Sequence, residues 1–402
     1  MVKTEVSGQL AIDGGPPVRG TLLPYGRQWI DDDDVAAVTE VLRSDWLTTG
    51  PKVTEFERAL ANVTGAADAV AVSNGTAALR AAMYALGIGP GDEVIVPAIT
   101  FAATANCVAL LGGTPVFADV DPETLLLGAA QAEAKITPKT KAIIAVDYAG
   151  QPCDYDALRA LADRYGLMLV DDACHAIGGS YKDRSVGSLA ALNTFSFHPV
   201  KHVAMGEGGA VTTGDVELAR RMRLFRNDGI TSDFRQRETK GSWVYEMIDL
   251  GVNYRLPDIL CALGVTQLAK LPGSVRRRQA IAAKYDAAFA ELPEVSPLAV
   301  RHDVSHAYHL YVVRLELEKL RVGRAEVFTA LRAEGIGVNV HYIPVHLHPY
   351  YRDQFETAPG DCLVAEAAYE RILSLPMFPS MSDGDVQDTI AAVRKVVEAY
   401  QR

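Results

Sequence analysis

Seven short apolar runs between residues 69 and 213, separated by stretches of helical periodicity, constrain this chain more than any other feature. They predict strands over 69–73, 93–97, 115–120, 141–148, 167–171, 193–198 and 208–213, with helices such as 102–111, 155–165 and 216–225 between them. Strands that alternate with helices need crossover connections. The pattern therefore gives an α/β fold with a mostly parallel sheet covered on both faces. In such a sheet ligands bind beyond the carboxyl ends of the strands, where loops and helix starts converge.

The flanks read differently. An N-terminal arm leads through four aspartates, 31–34, into a helix over 35–42; an acidic helix start explains these carboxylates more cheaply than a metal site. Residues 256–292 predict long helices bent at Pro272, with Arg276, Arg277 and Arg278 on a solvated face. A strand over 309–315, a helix over 324–334, a strand over 337–342 and a final helix over 385–400 form a small α+β domain. We divide the chain into residues 1–265, the arm and large domain, and 266–402, the linking helices and small domain.

With 402 residues, 49% of them hydrophobic, the chain can bury a large core and a smaller second one. A net charge of −11 argues against nucleic acid or an anionic membrane as partner. The cysteines at 107, 153, 174, 261 and 362 lack metal-type spacing; their odd number, with no signal-peptide pattern, leads us to expect a reducing cytoplasm. The long uncharged run 94–113 is broken by Pro97, Thr100, Thr104 and Asn106, so it reads as strand, turn and helix and not as a membrane span.

Most single lysines are solvated surface residues, but Lys201 lies in the apolar and aromatic stretch SFHPVK, followed at once by a glycine-rich turn. An amine so placed suits a Schiff base with an aldehyde cofactor, pyridoxal 5'-phosphate, and Asp172 in LVDDACH suits the carboxylate that keeps the pyridine nitrogen protonated. SNGTAAL supplies a third element. A buried strand runs into a turn at Gly75 and then a helix, whose free N–H groups and dipole favour phosphate at Gly75 and Thr76; a plain turn with Thr76 as cap is the simpler reading. The run GEGG lacks the Lys-Ser/Thr of a nucleotide-hydrolase phosphate loop.

From about residue 20 onward these residues, with PYGRQ, SDWLTTGP, PAITFAATANC, GEGGAVTT, NYRLPD and HYIPVH in the same order, resemble the DegT/DnrJ/EryC1/StrS sugar aminotransferases. Within that family the chain looks most like nucleotide-sugar 4-aminotransferases of the pseudaminic-acid type. The resemblance implies a pyridoxal-phosphate enzyme of fold type I, like aspartate aminotransferase, with a seven-stranded large domain. It implies Lys201 as Schiff-base lysine and proton shuttle, Asp172 as partner of the ring nitrogen, Phe101 stacked on the ring, and His175 near the phenolic oxygen. Ser196 and Thr76 would hold the phosphate. Asn253 would reach the phosphate of the neighbouring subunit in a homodimer with shared sites. The substrate would be a UDP-linked 4-keto-6-deoxy sugar, with L-glutamate as donor and 2-oxoglutarate as product. It would lie among Tyr25, Trp46, Leu47, Thr48, Thr49, Asn74, His341, Tyr342, Ile343 and Pro344.

Two features depart from many relatives. The turn Arg226-Asn227-Asp228-Gly229 lacks the usual histidine, and the arm LAIDGGPPVRG is similar to aminocyclitol-type enzymes, which leaves a 3-keto sugar or keto-cyclitol as an alternative substrate. Family members that dehydrate their sugars replace the lysine with histidine; the intact Lys201 favours amine transfer, and with Asp172, Ser196 and Thr76 it disfavours a non-catalytic regulator.

Overall fold

The computed structural model describes residues 8–232 and 234–402. All seven predicted strands join one sheet: Asp68–Val72, Glu93–Pro97, Thr114–Ala118, Thr140–Val146, Met168–Asp172, Leu192–Ser196 and Gly209–Thr213. Counted in chain order, they lie across the sheet as first, seventh, sixth, fifth, fourth, second, third. Only Gly209–Thr213 runs antiparallel to its neighbours. The carboxyl ends of the other strands therefore share one rim, and Asp172 and Ser196 stand on it.

Helix Gly75–Leu86 begins at this rim because the Asn74 side chain accepts from the Ala77 N–H at 2.8 Å, a cap of about 1 kcal/mol. Thr76 is not the cap. Gly87, at φ 75°, ends the helix. Its buried face carries Ala77, Ala78, Ala81, Ala82 and Ala85, small enough for the helix to pack closely on the sheet.

The four aspartates open helix Asp32–Leu42 through a reciprocal cap between Asp31 and Asp34. Asp34 is buried and also accepts from Thr266, Gln267 and Lys270, which fastens this helix to the long helix Asp258–Phe289. Where two helices meeting at the proline were expected, there is one element, and Pro272 lies inside it. Leu268, Leu271 and Val275 bury against the large core, and Ile281, Tyr285 and Phe289 against the small one. Burial on both sides of the proline offsets its lost hydrogen bond, about 3 kcal/mol.

Arg278 is a second correction. Arg276 is exposed, but Arg278 is fully buried, and its Nη1 donates to the carbonyls of Tyr308, His309 and Met377 at 3.0, 3.3 and 2.8 Å. Backbone carbonyls outside regular ladders required that donor. The expected strand over 337–342 does not form either. Gly337 donates to Leu23 of the arm at 2.7 Å, while Asn339 makes a lone bridge with Ser374, so two partners divide the segment's hydrogen bonds. The small sheet is instead antiparallel Val295–Pro297, Tyr311–Leu315 and Ile372–Leu375.

Candidate active site

A cavity of about 570 Å³ opens at the strand rim, and residues 339–342 of the C-terminal part close its other side. Asp172, the last residue of Met168–Asp172, is buried with Oδ2 accepting from Thr104 Oγ1 at 2.7 Å; Thr104 in turn meets Thr100 Oγ1 at 2.7 Å. This relay fixes the carboxylate and leaves Oδ1 only a long contact, 3.4 Å, with the Cys174 N–H. Strand alternation sends Asp171 to the opposite face, away from the cavity lining.

Lys201 enters from the loop after Leu192–Ser196, where its backbone N–H bonds the His198 carbonyl at 2.9 Å. Burial pulls its amine down from the ordinary lysine range to about 8, although Cys174 and Asp172 pull it back up. About a tenth of the amine is then neutral at pH 7, far more than in an ordinary lysine.

The opposite end of the cavity suits an anion. Gly75 and Thr76 form the first turn of their helix, facing Ser196 at a strand end. A Cβ on Gly75 would stand 2.7 Å from Ser196 Cβ, so only glycine lets these backbones approach so closely. Between the two ends lies Phe101, 58% exposed despite its apolar ring and 6.0 Å from the Tyr342 ring. His175 Nε2 contacts Tyr342 Oη at 3.0 Å, and its ring lies 4.5 Å from that of His309. Burial, then the Lys201 charge, drives His175 well below the usual histidine range, so it is neutral.

Every expected cofactor residue except Asn253 therefore lines this cavity, as do Tyr25, Asn74, His341 and Tyr342. His341 Nδ1 meets Ser374 Oγ at 2.8 Å, and burial pushes its pKa down to about 4. Trp46, Leu47, Thr48, Thr49, Ile343 and Pro344 do not line it. Trp46 faces the Arg235 guanidinium, the Leu47 carbonyl accepts from the Asp258 N–H, and Thr49 borders a separate cavity with Arg223, Arg226 and Arg255. Asn253 is exposed and bridges Asn227, outside the cavity of its own chain.

Sequence reasoning missed Thr104 and His309. Thr104 was within reach, because it lies in the first turn of helix Ala103–Ala109, just beyond the strand end at Pro97. His309 comes from a segment more than a hundred residues downstream, and nothing local in HAYHLY signals its approach.

The residues present fit pyridoxal phosphate: a depressed amine, a relayed carboxylate, an aromatic face, and a glycine-permitted anion cradle within one cavity. Fold and site together define a PLP-dependent aminotransferase. The DegT/DnrJ/EryC1/StrS aminotransferase family model matches residues 28–394, and the chain belongs to that family. The spore coat polysaccharide biosynthesis protein SpsC of Bacillus subtilis (strain 168) is 45% identical over 382 residues, 94% of this chain and 98% of its own. Spr1654 of Streptococcus pneumoniae, solved in PMP and PLP forms, superposes in the PMP form with TM-score 0.88 at 33% identity, covering 94% of this chain and 99% of its own. Helicobacter pylori PseC, an aminotransferase involved in the biosynthesis of pseudoaminic acid, gives 0.88 at 32% identity, covering 94% and 100%.

Proposed function

We propose that this enzyme moves the amino group of L-glutamate onto a nucleotide-linked 4-keto-6-deoxy sugar, with UDP as the carrier. The convergence of Lys201, Asp172, Phe101 and the Gly75–Ser196 cradle carries the amine-transfer part. PseC, with its stated part in pseudoaminic acid biosynthesis, and SpsC, in polysaccharide biosynthesis, support a sugar acceptor.

Bound in the cavity, pyridoxal phosphate supplies a carbonyl for amines and an electron-poor ring that takes up the electron pair when a carbon–hydrogen bond ionises. Asp172 would keep a proton on the ring nitrogen, and the Thr104 hydroxyl, donating to Oδ2, fixes that side chain. Lys201 Nζ would hold the cofactor through its carbonyl carbon and, when released from it, would carry the proton taken from the α-carbon of glutamate. Over the two halves of the reaction glutamate would give up its nitrogen and, with one water consumed, leave as 2-oxoglutarate, while the keto sugar would gain that nitrogen and lose its oxygen as water. Ser196, Gly75 and Thr76 would hold the phosphate, Phe101 would cover the ring, and neutral His175 with Tyr342 would meet its phenolic oxygen. Tyr25, Asn74, His341 and Tyr342 would meet the sugar, and residues 46–49 and 343–344 would join them from a partner subunit or on closure.

A decisive screen loads the enzyme with pyridoxamine phosphate and adds UDP-linked 4-keto sugars, 3-keto sugars and keto-inositols in turn. The 4-keto-6-deoxy sugar is expected to restore the pyridoxal spectrum fastest. Faster return with a keto-inositol would favour the aminocyclitol reading that the arm residues suggest.

The working unit is proposed to be a cytoplasmic homodimer in which Asn253 serves the partner's phosphate site. Trp243, Met247 and Leu250, just before it, are 85, 65 and 78% exposed, an apolar run suited to burial against a second copy. Mixing a Lys201→Ala chain with an Asn253→Asp chain is expected to restore activity, because one site of each heterodimer escapes both lesions. Continued inactivity after demonstrated subunit exchange would place Asn253 in its own chain's site. The division near residue 265 belongs to the same proposal.

A further inference from the structure

Behind Asp172, on the face of the strand turned away from the cavity, two more carboxyl groups are sealed from solvent. Asp171 precedes Asp172 on its strand, and Asp147 follows the neighbouring parallel strand Thr140–Val146, where Ala145 pairs with Asp171 and Val146 with Asp172. The Asp147 N–H donates to the Asp172 carbonyl at 3.2 Å, which fixes the three residues at one strand rim. Both Asp147 and Asp171 have no exposed surface.

Their surroundings offer little to an ionised pair. Asp147 Oδ1 accepts from the Cys153 N–H at 2.9 Å and from Tyr155 Oη at 2.8 Å, while Asp147 Oδ2 and both oxygens of Asp171 have no hydrogen-bond partner. Tyr155, from helix Tyr155–Tyr165, lies near both carboxyls but has one proton to donate, and Asp147 takes it. On the other flank, Thr194 bonds the Asp171 carbonyl and not its carboxyl. Among the described residues no lysine or arginine forms an ion pair with either aspartate. Arg301, the cation toward Cys153, is engaged with Asp154 and Asp303 at 3.1 and 3.0 Å, and Lys201 lies on the cavity side.

A buried carboxylate without a cation or donors costs several kcal/mol, and two neighbouring ones repel each other besides. We propose that Asp147 and Asp171 together keep at least one proton at neutral pH, behind Asp172 at the same strand rim. The pair behaves as one titrating unit. Burial, more than any other cause, pushes Asp147 up to about 7, and burial followed by the Asp147 charge pushes Asp171 well above its usual range.

The sign of the linkage follows. A carboxyl whose pKa is raised by folding loses stability for the folded state as pH climbs from the ordinary carboxylate range through its folded pKa, because the unfolded chain releases that proton first. In Asp171→Asn one of these groups cannot ionise, and repulsion on Asp147 falls. The variant's melting temperature is therefore expected to decline less than wild type between about pH 4 and pH 8. Infrared spectra of cofactor-loaded protein, with aspartate isotopically labelled, should show a protonated-carboxyl stretch at pH 7 that weakens or vanishes in Asp171→Asn and in Asp147→Asn. Wild type without this band would overturn the proposal. So would a band unchanged in both frequency and strength in both variants, or an Asp171→Asn melting profile parallel to wild type across the range. The wild-type spectrum stands by itself should either variant fail to fold.

Discussion

Lys201→Ala is expected to fold, to bind pyridoxal phosphate without a covalent bond, and to lose amine transfer by ~10⁴-fold or more, the upper range for a positioned acid–base group. Its backbone contacts run through the His198 carbonyl and survive the truncation. Among the described residues that line the cavity, Lys201 is the one lysine, so no second amine stands ready to carry the proton. Borohydride reduction of wild type should leave a pyridoxyl group on Lys201 and none on the variant; an adduct mapped to another lysine would end the assignment. Lys201 also predicts a pH dependence. With the amine lowered to about 8, the rate at which apo-protein couples the cofactor should rise through that pH and level off above it. A rate that kept climbing into the ordinary lysine range would mean the cavity does not desolvate the amine.

What the sequence revealed, and what it hid, divides along one physical line. The seven strands were legible because each is a short apolar run bounded by turn residues, and burial on both faces leaves a local mark on composition. Lys201, Asp172 and Gly75 were legible for a related reason, since apolar context, strand ends and turn chemistry mark the rim, whereas Ser196 was picked out only by the family resemblance. The errors came where distant chain decides. Arg278 reads as one of three solvated arginines until carbonyls from Tyr308 and Met377 arrive to receive it. Residues 337–342 have strand composition, yet the arm at Leu23 takes the hydrogen bond a sheet would have used. Pro272 suggests a break between helices, yet one helix runs through it, buried in a core on either side. Trp46 to Thr49, expected near the substrate from the family resemblance, lie outside the cavity, with Trp46 facing Arg235 and Thr49 bordering the separate cavity.

Asp172→Asn is the second large effect, expected to lower turnover by about 100-fold or more while the protein stays folded. Asparagine keeps the size of the side chain and can still receive the Thr104 hydroxyl through its amide oxygen, so the Thr100–Thr104 relay holds the group in place. What it loses is the negative charge that keeps a proton on the ring nitrogen, and with that proton goes the ring's capacity to take up electrons. The loss should appear in kcat more than in KM, since Tyr25 and His341, the cavity residues proposed to meet the sugar, are untouched. Asp171→Asn, one residue earlier and facing away from the cavity, should cost far less. Paired measurements of kcat and thermal midpoint on the two variants test this directly. Equal losses of turnover would mean that the strand does not alternate as described, and a collapse in the stability of Asp172→Asn would make the carboxylate a structural group and not an electronic one.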